Sequence, residues 1–427
     1  MEMGSREEHG TMTFQTTTKM DSGEKRLNEL GYRQELRREM SFFKTLAITF
    51  SCMAVFTGTP LYGQSLLYAG PASLMWGWVV VTFFTWFVGL AMAEICSSFP
   101  VVGGLVVIIM LPLVAYPVQP ASYVFTHFET APEDTGISSK PYAVIMSVLL
   151  SNYCLYGYDA AAHLTEETKG ADRTGPIAIL TSIAIITVFG WAYNLALTFS
   201  IKNPSYLYDV NNETAGALVP AQIIYDAFYG RYHNSAGAVV FLCIIWGSFF
   251  FCGLSVTTSA ARVVYALSRD KGIPFSPIWR RIHPKHKVPI NAVWLCAALS
   301  TILGLPILKL NVVFTAIISI STIGWVGSYG VPIFARLVMD QENFKPGPFY
   351  LGSRASRIIC LVAFLWICYT CSAFLLPTLY PITWNTFNYA PVALGLVLSL
   401  ILLWWFLDAR RWFKGPVRDF EMHNGNI

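Results

Sequence analysis

Thr57-Gly58-Thr59-Pro60 lies within an apolar run at 46–68, and Tyr156-Gly157-Tyr158-Asp159 lies within another at 142–164. Each run, at about 20 residues, is long enough to cross a bilayer as a helix. Each also carries residues that stop one: proline removes a backbone donor and glycine frees the chain. Backbone at membrane depth must be hydrogen-bonded, so an interruption persists only against protein or a cavity. A lone Gly or Pro in a span is usually a simple kink. A matched pair, each opening its own half of the chain, points instead to a solute site. There, freed amides can hold a carboxylate and freed carbonyls an ammonium.

Composition agrees with a chain that lives in lipid. Of 427 residues, 54% are hydrophobic and 13% charged, against roughly a quarter charged in a soluble domain. Mean hydropathy is +0.50, and 13 Trp, 21 Tyr and 29 Phe supply side chains suited to membrane–water boundaries. Further runs fall at 73–93, 176–200, 237–261, 290–308, 312–337, 358–378 and 389–407. A short one, Gly103–Tyr116, covers roughly 21 Å against a hydrocarbon core of about 30 Å. Counting it gives about ten crossings. The first 45 residues are polar and show no short apolar core with a cleavage site, so the first span is expected to start insertion.

Charge sets the expected orientation. Of 29 Lys and Arg, only Lys140, Lys202, Arg231 and Lys309 fall in one set of loops. The remainder lie in the two tails and in 165–175, 262–289 and 336–357, which places both termini in the cytosol. The expected division is a tail at 1–45, a first block at 46–116, an outer loop at 117–141, a second block at 142–337, two last helices within 338–407 and a tail at 408–427. The sequon Asn212-Glu213-Thr214 falls in the outer loop 201–236, where a glycan can be added.

Asp159 is the one acid well inside a span. A buried carboxylate is costly, so amine recognition or proton coupling is one reading. Capping of the second half-helix is the other. His163, one turn on, can pair with Asp159 or Glu166. Ser255, Thr257, Thr258 and Ser259 can ligate sodium, but such hydroxyls more often bond the carbonyl four residues back. The nine cysteines fall almost wholly in apolar runs, an odd number that argues against a disulfide framework. Cys368-Tyr-Thr-Cys371 reads as two buried thiols rather than a metal or redox pair. No metal site, cofactor or catalytic motif is expected, and the span-end placement of basic residues excludes a nucleic-acid surface.

Four stretches together resemble the amino-acid/choline branch of the amino acid–polyamine–organocation (APC) superfamily, which contains plant bidirectional amino-acid transporters and GABA permeases. They are RLNELGYRQELRREMSFFKTLAITF from Arg26, YGYDAAAHLTEETKGADRTGP from Tyr156, SAARVVYALSRDKGIPFSPIW from Ser259 and LDARRWFKGP from Leu407. The resemblance implies an all-α integral membrane fold of twelve helices. The first ten would form two inverted, LeuT-like repeats around a midplane site. It implies secondary-active transport of amino acids, GABA included, by alternating access, with proton or sodium as coupling ion left open. Thr57, Gly58 and Thr59 match the family's first unwound segment, Tyr156, Gly157, Tyr158 and Asp159 its second, and Glu166 and Glu167 its loop motif.

One departure is large. After Glu94-Ile-Cys-Ser-Ser-Phe-Pro100 the sequence passes directly, through Val101-Val102-Gly103-Gly104, to a stretch resembling the back half of the family's fifth helix. The third, fourth and half of the fifth helices are absent, which truncates the fold to about ten spans. That opens a second reading: an isoform that does not transport, and is inactive or acts by associating with full-length transporters.

Overall fold

Helices form where the apolar runs predict them, and they end or bend where glycine, proline and polar residues intervene. The computed structural model of the chain describes residues 21–29, 36, 38–53, 58–93, 105–115, 117–308, 311–339 and 347–413. In chain order, α1 (Ser22–Glu29) and α2 (Phe42–Cys52) precede the long α3 (Thr59–Ala93), and α4 (Leu105–Val114) is the short segment. Two loop turns follow, α5 (Ala121–Thr126) and α6 (Pro132–Thr135). The second broken span is α7 (Lys140–Ser147), α8 (Leu149–Cys154) and α9 (Ala160–His163). Next come α10 (Ala171–Phe199), the loop helix α11 (Val219–Tyr232), α12 (Ala236–Arg269) and α13 (Ser276–Trp279). The chain closes with α14 (Ile290–Gly304), α15 (Asn311–Val338), α16 (Ser353–Phe374) and α17 (Ala390–Leu407).

Seven helices among the described residues are long and apolar enough to cross a membrane. The other expected crossings are the two interrupted spans and α4. Helix α3 contributes to two expected crossings, 46–68 and 73–93, because it turns a corner at Ala69 and Gly70. Gly70 has φ +72, and a Cβ there would lie 2.9 Å from Glu129 N, so the loop between α5 and α6 packs directly on the corner. Ala72 N donates to His127 O at 3.1 Å across the same contact.

The core lies where α3, α8, α10 and α15 converge. Trp78, Tyr62, Leu74, Met75, Ile183 and Ile186 are almost wholly buried. Two indoles tie α3 to α10: Trp78 Nε1 donates to Thr187 O and Trp191 Nε1 to Met75 O. Small residues permit the close approach, Gly89 against Ile183 and Gly190 against the Trp78 ring.

Helices α12, α14 and α17 instead show most of their surface to the outside. Trp246, Phe250 and Leu254 on α12 are exposed, and a Cβ at Gly247, Gly253, Gly304 or Gly324 would meet nothing within 4 Å. The expected burial of Cys368 and Cys371 is corrected: Cys368 is exposed and Cys371 half-buried, because their helix turns that edge outward.

Leucine at Gly190 must displace the Trp78 ring, whereas leucine at Gly253 enters open space. Gly190→Leu is expected to cost about 1–3 kcal/mol or more and to lower the thermal midpoint in detergent. Gly253→Leu should leave that midpoint within error, and equal effects would contradict the packing described.

Candidate functional site

Both sequence-marked stretches break their spans, and the breaks touch. Helix α2 stops at Cys52, where Met53 turns extended (φ −75, ψ 133). Thr57 lies outside the described residues. The chain is helical again from Thr59, with Leu61 N donating to Gly58 O at 2.9 Å. In the second span, α8 ends at Cys154 and α9 begins at Ala160. Gly157 between them has φ +92, a region that side-chain-bearing residues rarely adopt, and a Cβ there would lie 3.0 Å from Cys52 O. The carbonyl end of α2 therefore abuts the second break. Helix α2 packs on α9, and α3 on α8, so the two interrupted spans run antiparallel.

A hydrogen-bond chain satisfies the second break. Gly157 N donates to the Tyr329 hydroxyl at 3.1 Å, and that hydroxyl donates to Asp159 Oδ1 at 2.7 Å. Asp159 Oδ2 accepts from His163 Nε2 at 2.9 Å. Of the two sequence readings of Asp159, capping has the position but not the bond: it is the N-cap residue of α9, yet its side chain caps nothing. His163 chooses Asp159 rather than Glu166. Tyr158 packs its ring on Tyr329 with centroids 5.1 Å apart, and Tyr156 stacks on Trp325 at 5.7 Å.

At the first break, Thr59 Oγ1 and the Tyr193 hydroxyl lie 3.1 Å apart, both buried. Gly58, Thr59, Tyr62, Leu150, Cys154 and Tyr193 line a cavity of about 10 Å³, room for about one water-sized centre. An amino acid does not fit in this conformation.

Below the breaks, on the side where the N-terminal segment lies, polar ties gather. Arg262 grips Glu167 with two bonds, 2.7 and 3.2 Å, and Arg269 holds Glu166 at 2.7 Å. Met40 bridges to this loop: its N–H donates to Glu167 O and its carbonyl accepts from Lys169 N. Arg38 donates to both Asp21 and Thr168 O, and Thr45 meets Thr168 through their hydroxyls at 2.8 Å. Glu167 therefore ties the segment before α2 to α12, and Glu166 pairs with α12 through Arg269.

The hydroxyls of α12 divide. Thr257 and Thr258 donate to the carbonyls of Gly253 and Leu254, four residues back, while Ser259 Oγ is buried with no partner among the described residues. Asn212 is buried, donating to Tyr206 O and Leu207 O and accepting from Thr214 and Gly216. A glycan on that amide requires the loop to be unfolded when it is added. Beside it, Gln222 donates to Glu213 and Asp226. That bond holds the Glu213 carboxyl below its usual range, and burial pushes Asp226 up. Among the described residues no cluster of His, Cys, Asp and Glu suits a metal.

Tyr329, Tyr193 and Arg262 were not singled out from sequence. A tyrosine inside an apolar span needs a partner for its hydroxyl, and that signal was available for Tyr329 and Tyr193.

Broken antiparallel spans in a helical bundle of this hydropathy define a polytopic membrane protein. The sequence matches the amino acid permease family over residues 102–398. It is 36% identical to the rice (Oryza sativa subsp. japonica) amino-acid permease BAT1 homolog, covering 94% of this chain and 96% of that protein. It is 34% identical to Arabidopsis thaliana amino-acid permease BAT1 over 94% of this chain and 97% of that protein. The Saccharomyces cerevisiae GABA-specific permease is 25% identical over 96% of this chain and 89% of that protein. The chain belongs to the amino acid permease family, within the APC superfamily. It is an integral membrane protein of a transporter family and not an enzyme. The alignment with the rice protein spans 506 positions against 427 residues here, so at least 79 have no counterpart in this chain.

Removing one partner of the Glu167–Arg262 pair leaves a charge buried and unpaired. Arg262→Ala is expected to destabilise by about 3–5 kcal/mol, read as loss of monodisperse protein on heating in detergent. Asn212→Gln should lower the thermal midpoint even of protein made in a host that adds no glycans. An unchanged midpoint there would remove Asn212 as the organiser of its loop.

Proposed function

We propose that the chain moves amino acids, GABA among them, across a membrane by secondary-active, alternating-access transport. The site is the pair of breaks: Thr57, Gly58 and Thr59 on one span, Tyr156, Gly157, Tyr158 and Asp159 on the other. Around it, a shortened first repeat at 46–116 faces a five-helix repeat at 142–337. Both termini are cytosolic, a reading supported by the loop distribution of Lys and Arg.

The observation that carries this reading is the Gly157 amide. It points its N–H at a side-chain hydroxyl, 3.1 Å away, rather than at a helix carbonyl. A carboxylate can take the place of that hydroxyl without any rewinding of the backbone, while Asp159 offers a negative partner to an ammonium. GABA and α-amino acids share both groups at different separations. The small cavity fits a closed stage between openings, with the ties around Met40, Glu167 and Arg262 closing the cytosolic side.

A second reading is favoured by the missing stretch and by the open faces at Gly247 and Gly253. The absent helices remove a wall of the cavity, leaving a non-transporting isoform that is inactive or associates with full-length transporters. Uptake of labelled GABA and amino acids by vesicles containing only the purified chain separates the two. Signal above empty vesicles rejects the second reading, and its absence rejects the first.

Gly157→Leu strains φ +92 and drives a side chain at Cys52 O. It should abolish uptake while leaving membrane insertion intact; undiminished uptake would take the second break out of the site. Asp159→Asn should change amine selectivity or the pH dependence of uptake. Should neither change, Asp159 is structural.

A further inference from the structure

We propose that the groove between α3, α7 and α16 is a binding site for a sterol. The site is separate from the two breaks: it shares no residue with them, and it stands whether or not the chain transports. Its volume is about 380 Å³, within the range of small-molecule sites. Helix α3 supplies Trp76 and Val80, α7 supplies Val144, and α16 supplies Trp366 and Tyr369. Trp76, Val80 and Val144 are exposed, so the groove opens on the surface of the bundle that meets lipid.

The floor is closed by a glycine. A Cβ at Gly77 would collide with Val148 Cγ1, so α3 and α7 meet there with no room beneath. Along α3 the lining runs from Ala72 to Val81, roughly 14 Å of helix. Phe128, from the loop between α5 and α6, joins the lining as well.

Apolar character alone does not select an occupant here, because lipid chains are as apolar as the side chains they touch. Shape and hydrogen bonding do. Trp366 stacks on Phe84 with centroids 4.3 Å apart and planes 9° apart, and the Tyr369 ring lies 5.0 Å from Trp366. That is a flat, stiff side to the groove. A fused ring system seats on it with little conformational freedom to lose, whereas an acyl chain must be ordered first.

The polar groups of the lining fall into two sets. Trp76 Nε1 is spent on Phe125 O at 3.1 Å, and Ser73 on Ser147 at 2.6 Å. The Tyr369 hydroxyl and the Trp366 indole N–H, one turn apart on α16, have no hydrogen-bond partner among the described residues. A donor left bare in hydrocarbon is costly. A rigid apolar ligand carrying one hydroxyl answers both needs: its oxygen accepts from these donors and its proton goes to the tyrosine oxygen.

The test uses the purified full chain in detergent micelles, with labelled cholesterol as probe. Binding should saturate, yield to unlabelled cholesterol, and resist both dioleoylphosphatidylcholine and cholestane, which lacks the hydroxyl. Val144→Trp fills the groove from α7 and should weaken binding at least about tenfold. Val80→Trp fills it from α3 and replaces that variant if it does not stay monodisperse. Tyr369→Phe keeps the shape and removes the hydroxyl, and should weaken binding about fivefold. Val240→Trp, exposed on α12 away from the groove, should bind as the parent does.

Binding that does not saturate overturns the proposal. So does parental affinity in the groove-filling variant or in Tyr369→Phe. Displacement by phosphatidylcholine as effective as by cholesterol also overturns it, and makes the groove a seat for an acyl chain.

Discussion

Gly157 N–H, 3.1 Å from the Tyr329 hydroxyl, is a backbone donor at membrane depth with no helical acceptor. Left bare in hydrocarbon, such a group costs several kcal/mol. Each feature around it follows from that constraint. The hydroxyl that meets the amide must give its own proton to something, and Asp159 Oδ1 takes it at 2.7 Å. The carboxylate so placed needs a second donor, and His163 supplies it. Glycine is needed at the apex because φ is +92 and because the carbonyl end of α2 lies within contact distance of any added carbon. Unwinding is thus held open by side chains from two elements, α15 and α9 with its N-cap, rather than tolerated as a defect.

The two sides of the breaks are tied by different chemistry. Toward the N-terminal segment the closure is ionic and main-chain: Glu167–Arg262, Glu166–Arg269 and the Met40 bridge. Toward the other end it consists of hydroxyl pairs, Thr59 with Tyr193, Tyr62 with Thr198 and Ser73 with Ser147. Neutral hydroxyl pairs each contribute about 1 kcal/mol net, whereas parting a buried ion pair exposes two charges that must be rehydrated together. In the transport reading proposed above, the ionic side is accordingly the harder one to open. The Met40 bridge couples that side to α2, which starts two residues after it.

Periodicity and hydropathy made the spans legible, because a run of about 20 apolar residues has few other fates. The breaks were legible for a similar reason: Gly58, Pro60 and Gly157 contradict the helices that contain them. What closes the breaks was not. Tyr329 lies 172 residues from Gly157, and only packing brings α15 beside that turn. The burial of Asn212 was hidden because a sequon specifies a modification enzyme's target and nothing about the loop around it. The outward turn of Cys368 was missed since an apolar helix in lipid offers no polar face from which to read its orientation.

The stretch missing relative to the rice permease separates what a bilayer forgives from what it does not. In water, exposed Trp246, Phe250 and Leu254 would drive association, since each apolar square ångström costs about 25 cal/mol. In lipid the same faces meet chains as apolar as themselves, and only helix–helix packing is lost. Open glycines at 247, 253 and 324 mark where such packing has no partner. The polar parts that lipid cannot satisfy, at Gly157, Asp159, Glu167 and Arg262, find their partners within the helices that remain. Shortening a chain of this family can therefore spare its breaks and their polar partners.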